Sequence, residues 1–305
     1  MASLEQLFDA YGKTKTADAR NEALEASLAG CKLTYFGLAA RAEGIRLALA
    51  IGGIDFGECR PPCPAQPSTQ ANSRTPRLLT LQHTQHSTLN TQHTRTRTRT
   101  PSPPPLPAED HRISFPEWGE LKPSTPWGSL PVLTLADGQH LGQQRAIVRL
   151  VGKAAGLYPA DALAAARCDE LCDTIDDVMD VMNAVGQGLE KEAKEAARAE
   201  ATEPGGAIAA LFAKIEAFCA AHGTGCGHAV GGALTIADLQ LFGQLGFIGS
   251  GFYDGVAPSV FDRFPAIQAV RKAVATHPAV LAWYDGRGDA VSGGEAYLRD
   301  CRDIE

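Results

Sequence analysis

A chain of 305 residues is longer than one ordinary domain, so two domains, or one domain with additional unstructured sequence, are expected. With 44% hydrophobic and 21% charged residues the composition is that of a globular protein that folds in water, and it excludes a fibre or a membrane-embedded protein. The net charge of −7 is uneven: residues 59–108 hold six arginines and no acid, and the remainder carries 22 basic against 35 acidic residues, a balance that argues against nucleic acid or an anionic membrane as partner.

The first residues, MASLEQLFDAYGKTKTADAR, bear acids where a secretory or mitochondrial signal has basic or apolar residues, so a cytoplasmic location is expected. Residues 1–30 are read as an N-terminal extension. CKLTYF then reads as a short strand. RAEGIRLALAIGG follows as a helix, with Ile45 and Leu49, and Leu47 and Ile51, at helical spacing and Gly52-Gly53 as its stop. IDFGE begins another strand, which is cut by an insertion and resumes at DHRI. The insertion, residues 59–109, consists of near-repeats of Thr, Gln, His, Arg and Pro. It has too little apolar surface to offset the entropy of ordering it, so disorder is expected. The simple repeats, and the pattern that resumes beyond them, point to translated intron sequence.

SFPEWGELKPSTPWG reads as a loop. LPVLTLADGQHL reads as a hairpin turning at Asp137-Gly138, and QQRAIVRLVGKAAG as a helix with Ile147, Leu150, Val151 and Ala154 on one face. From Pro159 onward strand signals disappear. Leu171, Ile175, Val178, Met179 and Met182 form one helical stripe, and Ile208, Leu211, Phe212, Ile215 and Cys219 form another. EKEAKEAARAE between them is a solvent-exposed helix or a frayed linker. TIADLQLF opens a helix with Thr235 and Asp238 as a capping box, and FPAIQAVRKAVATHPAVLAWY supplies two helices separated at Pro278. The eight cysteines (Cys31, Cys59, Cys63, Cys168, Cys172, Cys219, Cys226, Cys301) follow no disulfide framework and are read as reduced thiols. Cys226-Gly227-His228 offers too few ligands for a metal and is read as a turn, and no metal site is expected.

The order of elements, KLTYF with RAE.IR at the start, LPVL…DG…GQQ.AI later, DHRI…EW.E.K after the insertion and DTIDD in the helical half together resemble the glutathione transferase family, most closely its sigma class. The likeness covers residues 31–58 and 110–285. It implies an α+β, thioredoxin-like N-terminal domain over 31–155, built as βαβ-ββα on a mixed four-stranded sheet, and an all-α helical bundle over 156–305. It also implies glutathione as co-substrate, a small hydrophobic electrophile as second substrate and a homodimer.

The resemblance assigns roles to residues. Tyr35 donates its hydroxyl to the glutathione sulfur and Arg41 supports the resulting thiolate. Trp118 and Lys122 hold the glycine end of the tripeptide. Gly128, Ser129, Leu130 and Pro131 carry the backbone that pairs with it, Pro131 matching the family's cis-proline. Gln143 and Gln144 open a helix whose unpaired N–H groups and positive dipole end suit the γ-glutamyl carboxylate; Gln144 stands where the family has a serine. Asp177 matches an acid that reaches the neighbouring subunit's glutathione. Asp173, Asp176 and Asp177 also resemble a divalent-ion cluster of one branch of the class, although carboxylates at this spacing more often face water. Phe36, Leu38 and Ala40 line the second-substrate pocket. The function implied is thiol activation for attack on electrophilic or peroxide substrates. The alternatives are a glutathione-dependent isomerase of the prostaglandin D synthase type, and a non-catalytic binding or structural protein of the same fold.

Overall fold

A computed structural model describes residues 24–54, 56–58 and 108–285. The reading of disorder across 59–109 therefore falls outside the described residues except at its last two, which already belong to a strand. Cys59, Cys63 and Cys301 also lie outside them. Of the N-terminal extension, residues 24–28 form a helical turn, and Leu28 is fully buried.

Strand β1 (Lys32–Phe36) is central in the sheet, because both its edges are paired. On one side it runs parallel to β3 (Ala108–Ile113), with Lys32 opposite Glu109 and Phe36 opposite Ile113. On the other it is antiparallel to β4 (Val132–Thr134). The hairpin to β5 (His140–Leu141) closes where Gly138 takes φ +86°, and Asp137 accepts the backbone N–H of Gln139. The mixed four-stranded set β3-β1-β4-β5 gains a fifth strand at its edge, β2 (Phe56–Glu58), parallel to β3. The flanks of the insertion were expected to continue one strand. They lie side by side instead, an arrangement no tight turn can make, since parallel neighbours need a crossover of a dozen or more residues.

Helix α1 (Ala40–Ile51) covers the sheet and buries every residue from Ala42 to Leu49. Residues 114–128, expected as a loop, contain helix α2 (Phe115–Leu121) and a 3₁₀ turn over Lys122–Ser124. The Ser114 hydroxyl and Glu117 carboxylate form a capping box that starts α2, with Pro116 in the first turn. Helix α3 (Gln144–Ala154) buries Ile147, Val148, Val151 and Ala154 and leaves Leu150 half-buried.

The rest is helical. Asp161 caps α4 (Ala162–Ala184) by accepting the N–H of Ala164. The expected α4 stripe of Leu171, Ile175, Val178, Met179 and Met182 is buried, joined by Cys168 and Cys172. Helix α5 (Lys191–Thr202) is exposed or half-buried along most of its length and buries Ala201 and Thr202 at its end. Helix α6 (Ala207–His222) buries Ile208, Phe212, Ile215 and Cys219. Within Lys191–His222 one window of 18 residues is apolar enough for a membrane-crossing segment, but the stretch is divided at 203–206 into these two helices, and α6 packs its apolar face into the core. Next come α7 (Ile236–Gln240), a π-helical segment Leu241–Leu245 and α8 (Gly246–Gly249), then α9 (Pro265–Ala275) and α10 (Pro278–Tyr284).

Helix α1 is central to the packing: it lies against α3, α7, the π segment and α10, and its Arg46 reaches β1 and β3 of the sheet at the Phe36 carbonyl and Asp110. Two glycines permit the approach. A Cβ at Gly44 would lie 2.2 Å from the Gln240 amide, and one at Gly152 would lie 2.2 Å from Ile236.

Candidate functional site

Alternation along β1 turns Leu33 and Tyr35 inward, and Tyr35 is 6% exposed. Past Tyr35 the chain turns tightly into α1 through Ala40, whose φ of +40° lies in the left-handed region. This turn brings the backbone N–H of Arg41 back to the Tyr35 oxygen, which accepts it. Burial pushes the phenol's pKa up. The Arg41 charge, that N–H bond and the Arg46 charge pull it back down. An oxygen that accepts from behind keeps its own proton to donate elsewhere. The Arg41 side chain is itself paired: its Nη2 donates to Asp180 Oδ1 of α4 at 2.6 Å, with both groups substantially exposed.

The second loop begins at Gly128, φ +60°, over which the Lys122 stem lies. Ser129 and Leu130 are half-buried, Pro131 is buried, and the Leu130–Pro131 peptide is cis, as the family resemblance implies. Trp118 is half-buried on α2, its ring edge-on to Phe36 with centroids 6.3 Å apart. Phe36 also stacks on Phe115 at 4.7 Å. Of the remaining residues read as pocket lining, Leu38 is half-buried and Ala40 is 5% exposed within the core.

Gln143, φ +68°, precedes α3, and its carbonyl accepts the N–H groups of Ala146 and Ile147. Its own side chain is exposed. Gln144 behaves otherwise: it is buried, and its Nε2 donates inward to Gln240 Oε1 at 2.5 Å. Gln244 Nε2 bridges Gln240 Oε1 and Asp176 Oδ1, both at 2.7 Å, and Arg145 Nε donates to Asp176 Oδ2 at 2.5 Å. A buried chain of polar side chains thus ties α3 to α7, the π segment and α4.

The three acids of DTIDD do not simply face water. Arg145 lies 3.5 Å from Asp173, 2.5 Å from Asp176 and 3.6 Å from Asp177, and Arg149 donates to Asp173 at 2.9 Å. Two guanidiniums from α3 therefore supply the positive charge beside this cluster. Among the described residues, no group of three or more metal-ligating side chains of the His, Cys, Asp and Glu type is gathered around a common point. Asp177 keeps 77% of its side chain exposed.

Two further residues face the Tyr35 site. Arg46 is fully buried, with its guanidinium carbon 5.9 Å from the Tyr35 ring centroid. Tyr253, buried after α8, donates to Asn183 Oδ1 at 2.6 Å. Burial pushes its hydroxyl up to about 12, with Arg198 pulling down, Tyr35 adding to the rise and Arg41 opposing it. Arg46 sits in the RAE.IR run, where a charge on the inward face of a helix was the available signal. Tyr253 had none, since its place depends on how the helical half folds back.

The chain is similar to known proteins in sequence and in fold. Residues 179–287 match the family described as glutathione S-transferase, C-terminal domain. Glutathione S-transferase 4 of Caenorhabditis elegans is 31% identical to this chain over 180 residues, which cover 56% of this chain and 84% of the relative. The chain belongs to the glutathione S-transferase family. Hematopoietic prostaglandin D synthase of Gallus gallus is 38% identical over 71 residues, 23% of this chain and 35% of that one. Among solved structures, NaGST-2 is similar with a TM-score of 0.58 at 25% identity, covering 84% of this chain and 96% of its own. Prostaglandin synthase D of Nilaparvata lugens shares the fold at 22% identity and the same TM-score, covering 84% and 98%.

In this glutathione S-transferase the sheet of the N-terminal half presents Tyr35, the cis-proline loop and the start of α3. The helical half contributes Asp180, Gln240, Gln244 and Tyr253 to the packing around them.

Proposed function

We propose that this chain is a glutathione transferase in which Tyr35 stabilises the thiolate of bound glutathione, and that it is a sigma-class-like member working as a cytoplasmic homodimer. The observation that carries the reading is the buried Tyr35, whose oxygen accepts the Arg41 N–H and whose ring centroid lies 5.9 Å from the Arg46 guanidinium carbon. A thiol with a pKa of ~8.5 needs a downward shift of about 1–2 units, or roughly 1.5–3 kcal/mol, to be mostly ionised at neutral pH. One hydrogen bond to a charged group contributes about 1.5–3 kcal/mol, so one phenol suffices.

In this reading the backbone at Leu130 and Pro131, with Gly128 and Ser129, pairs with the tripeptide. Trp118 and Lys122 take its glycine end, and the N–H groups at the start of α3, beside Gln143 and Gln144, take its γ-glutamyl carboxylate. Exposed Asp177 reaches a partner subunit's glutathione. The thiolate attacks an electrophilic carbon, forming the S–C bond as the leaving group departs with the bonding pair. With a peroxide, sulfur attacks oxygen, the O–O bond breaks and the alkoxide takes a proton; a second glutathione thiol then attacks the sulfenic acid, and the disulfide forms as the S–O bond breaks and water leaves. The relative named hematopoietic prostaglandin D synthase supports a lipid endoperoxide as a further substrate to test against a simple aryl halide.

Tyr35→Phe is expected to raise the ionisation pH of the bound thiol and lower kcat by about 10–100-fold, the equivalent of 1.5–3 kcal/mol, with little change in glutathione affinity. Unchanged turnover removes Tyr35 from the role. One observation favours a second reading, a non-catalytic binder: the Gln144 side chain is engaged with Gln240 rather than presented outward. Passage through immobilised glutathione without retention, together with no conjugation of an aryl halide, would establish that reading.

A further inference from the structure

Arg46 is among the largest side chains with no solvent exposure, and the proposed chemistry does not touch it. Its donors are directed at the segment that follows Tyr35. Nη1 donates to the Leu38 carbonyl at 2.8 Å and Nη2 to the Phe36 carbonyl at 3.2 Å. These two carbonyls flank Gly37, an exposed residue with nothing within 4 Å of where a Cβ would stand, so no side chain fixes the chain there. The same segment leads into the turn whose Arg41 N–H reaches the Tyr35 oxygen. A guanidinium spanning both carbonyls and lying near the aromatic ring therefore sets where the phenol's hydroxyl stands.

Arg46 is itself held. Nε donates to Asp110 Oδ1 at 3.1 Å, and Nη1 lies 3.3 Å from Glu43 Oε2. The second oxygen of Asp110 accepts Arg112 Nε at 2.9 Å. The second oxygen of Glu43 accepts the hydroxyl of Tyr284, from the end of α10, at 2.5 Å. Glu43, Arg46 and Asp110 are all fully or almost fully buried. We propose that Arg46 is a positioning residue for Tyr35, and that Tyr284 completes the arrangement by fixing Glu43 from the last described helix. This rests on the reading of Tyr35 as the thiolate's partner.

The charged and titratable groups around Tyr35 are Arg41 and Arg46 from α1 and Tyr253 from the helical half, with Arg198 over the Tyr253 ring. Glu43 and Asp110 lie behind Arg46. Removing the Arg46 charge outright would leave buried Glu43 without a cation and Asp110 with Arg112 alone, a loss that destabilises the whole chain. The informative variants are Arg46→Lys, whose single ammonium cannot span both carbonyls and Asp110, and Tyr284→Phe, which removes one hydroxyl and keeps the ring.

The experiment measures the ionisation of bound glutathione by thiolate absorbance against pH, together with kcat and the glutathione KM, for wild type, Tyr35→Phe and both variants. Arg46→Lys is expected to move the thiol's ionisation to higher pH and lower kcat ~10-fold while KM changes less than ~2-fold, because a small displacement of a catalytic group is costly to rate. Tyr284→Phe should move both in the same direction by ~2–3-fold, the loss of part of one hydrogen bond's net contribution. If both variants ionise the thiol as wild type does and lose activity only in proportion to their folded fraction, Arg46 is merely structural and the proposal is overturned. If Arg46→Lys does not fold, Tyr284→Phe decides alone, and a wild-type ionisation curve overturns the proposal. A Tyr35→Phe variant that ionises the thiol normally would instead defeat the reading of Tyr35 itself.

Discussion

Gln144 was legible from sequence as a departure, a glutamine where the family resemblance implies serine, but not as to what it does. A longer amide at the start of α3 has two directions open to it, outward to a ligand or inward to the core, and only the presence of Gln240 across the packing decides. Its Nε2 donates to that residue. Gln144→Ser is therefore expected to have opposite effects on binding and stability. A hydroxyl near the helix start adds about 1 kcal/mol of glutathione affinity, while loss of the buried amide contact costs about 1–2 kcal/mol of stability. Glutathione KM and thermal midpoint measured on one preparation check it, and both should fall; a variant that gains both affinity and stability, or loses both, contradicts it. Tyr35, by contrast, was readable because strand position and motif agree. The Arg41 backbone N–H on its oxygen was not, since that contact depends on the left-handed turn at Ala40.

Two helices begin with the same chemistry in different surroundings. Ser114 and Glu117 form their capping box at the surface, at the start of α2. Thr235 and Asp238 form theirs in the core, at the start of α7, and Asp238 also accepts the N–H of Ala229. Water can replace the first set of bonds and not the second. Ser114→Ala is expected to cost about 0.5–1 kcal/mol. Asp238→Ala, which leaves buried donors unpaired, should cost about 3 kcal/mol or more. Denaturant midpoints at constant m-value provide the comparison, and equal costs would refute the argument from burial. The sequence reading found the box at Thr235, where it opens an apolar run. It missed the one at Ser114, because Pro and Gly in SFPEWGELKPSTPWG suggested a loop; Pro116 occupies the first turn, where it is tolerated. Strand β2 is legible as a strand in IDFGE, but its pairing beside β3 rather than continuity with it is not, because three residues carry no period by which pairing can be recognised.

For the molecule as a whole, buried thiols make stability depend on alkaline pH. Burial pushes Cys31 from 9.0 to about 11 and Cys219 to about 12. Both folded-state values lie above the unfolded one, so the folded state retains the proton; the stabilisation is fully present below about pH 9 and is lost as pH rises toward 11–12. Cys168 and Cys172, hydrogen-bonded to each other, shift in opposite directions, Cys168 down and Cys172 up. Between about pH 9 and 10, before the tyrosines titrate, each of the two thiols should remove up to about 1.4 kcal/mol per pH unit. A Cys31→Ala, Cys219→Ala double variant should show a flatter fall of thermal midpoint over that range, and a parallel fall would exclude the thiols as its cause. The sequence by itself determined the order of elements, the apolar faces of α3, α4 and α6, the hairpin and the position of Tyr35, because periodicity and turn chemistry are local properties. Tertiary structure alone decided that Arg46 lies beside Tyr35, that Gln144 turns inward to Gln240, that Arg145 and Arg149 neutralise the acids of α4 and that Tyr284 reaches Glu43. Those contacts join residues far apart along the chain, and they exist only once α1 is packed between the sheet and the helices.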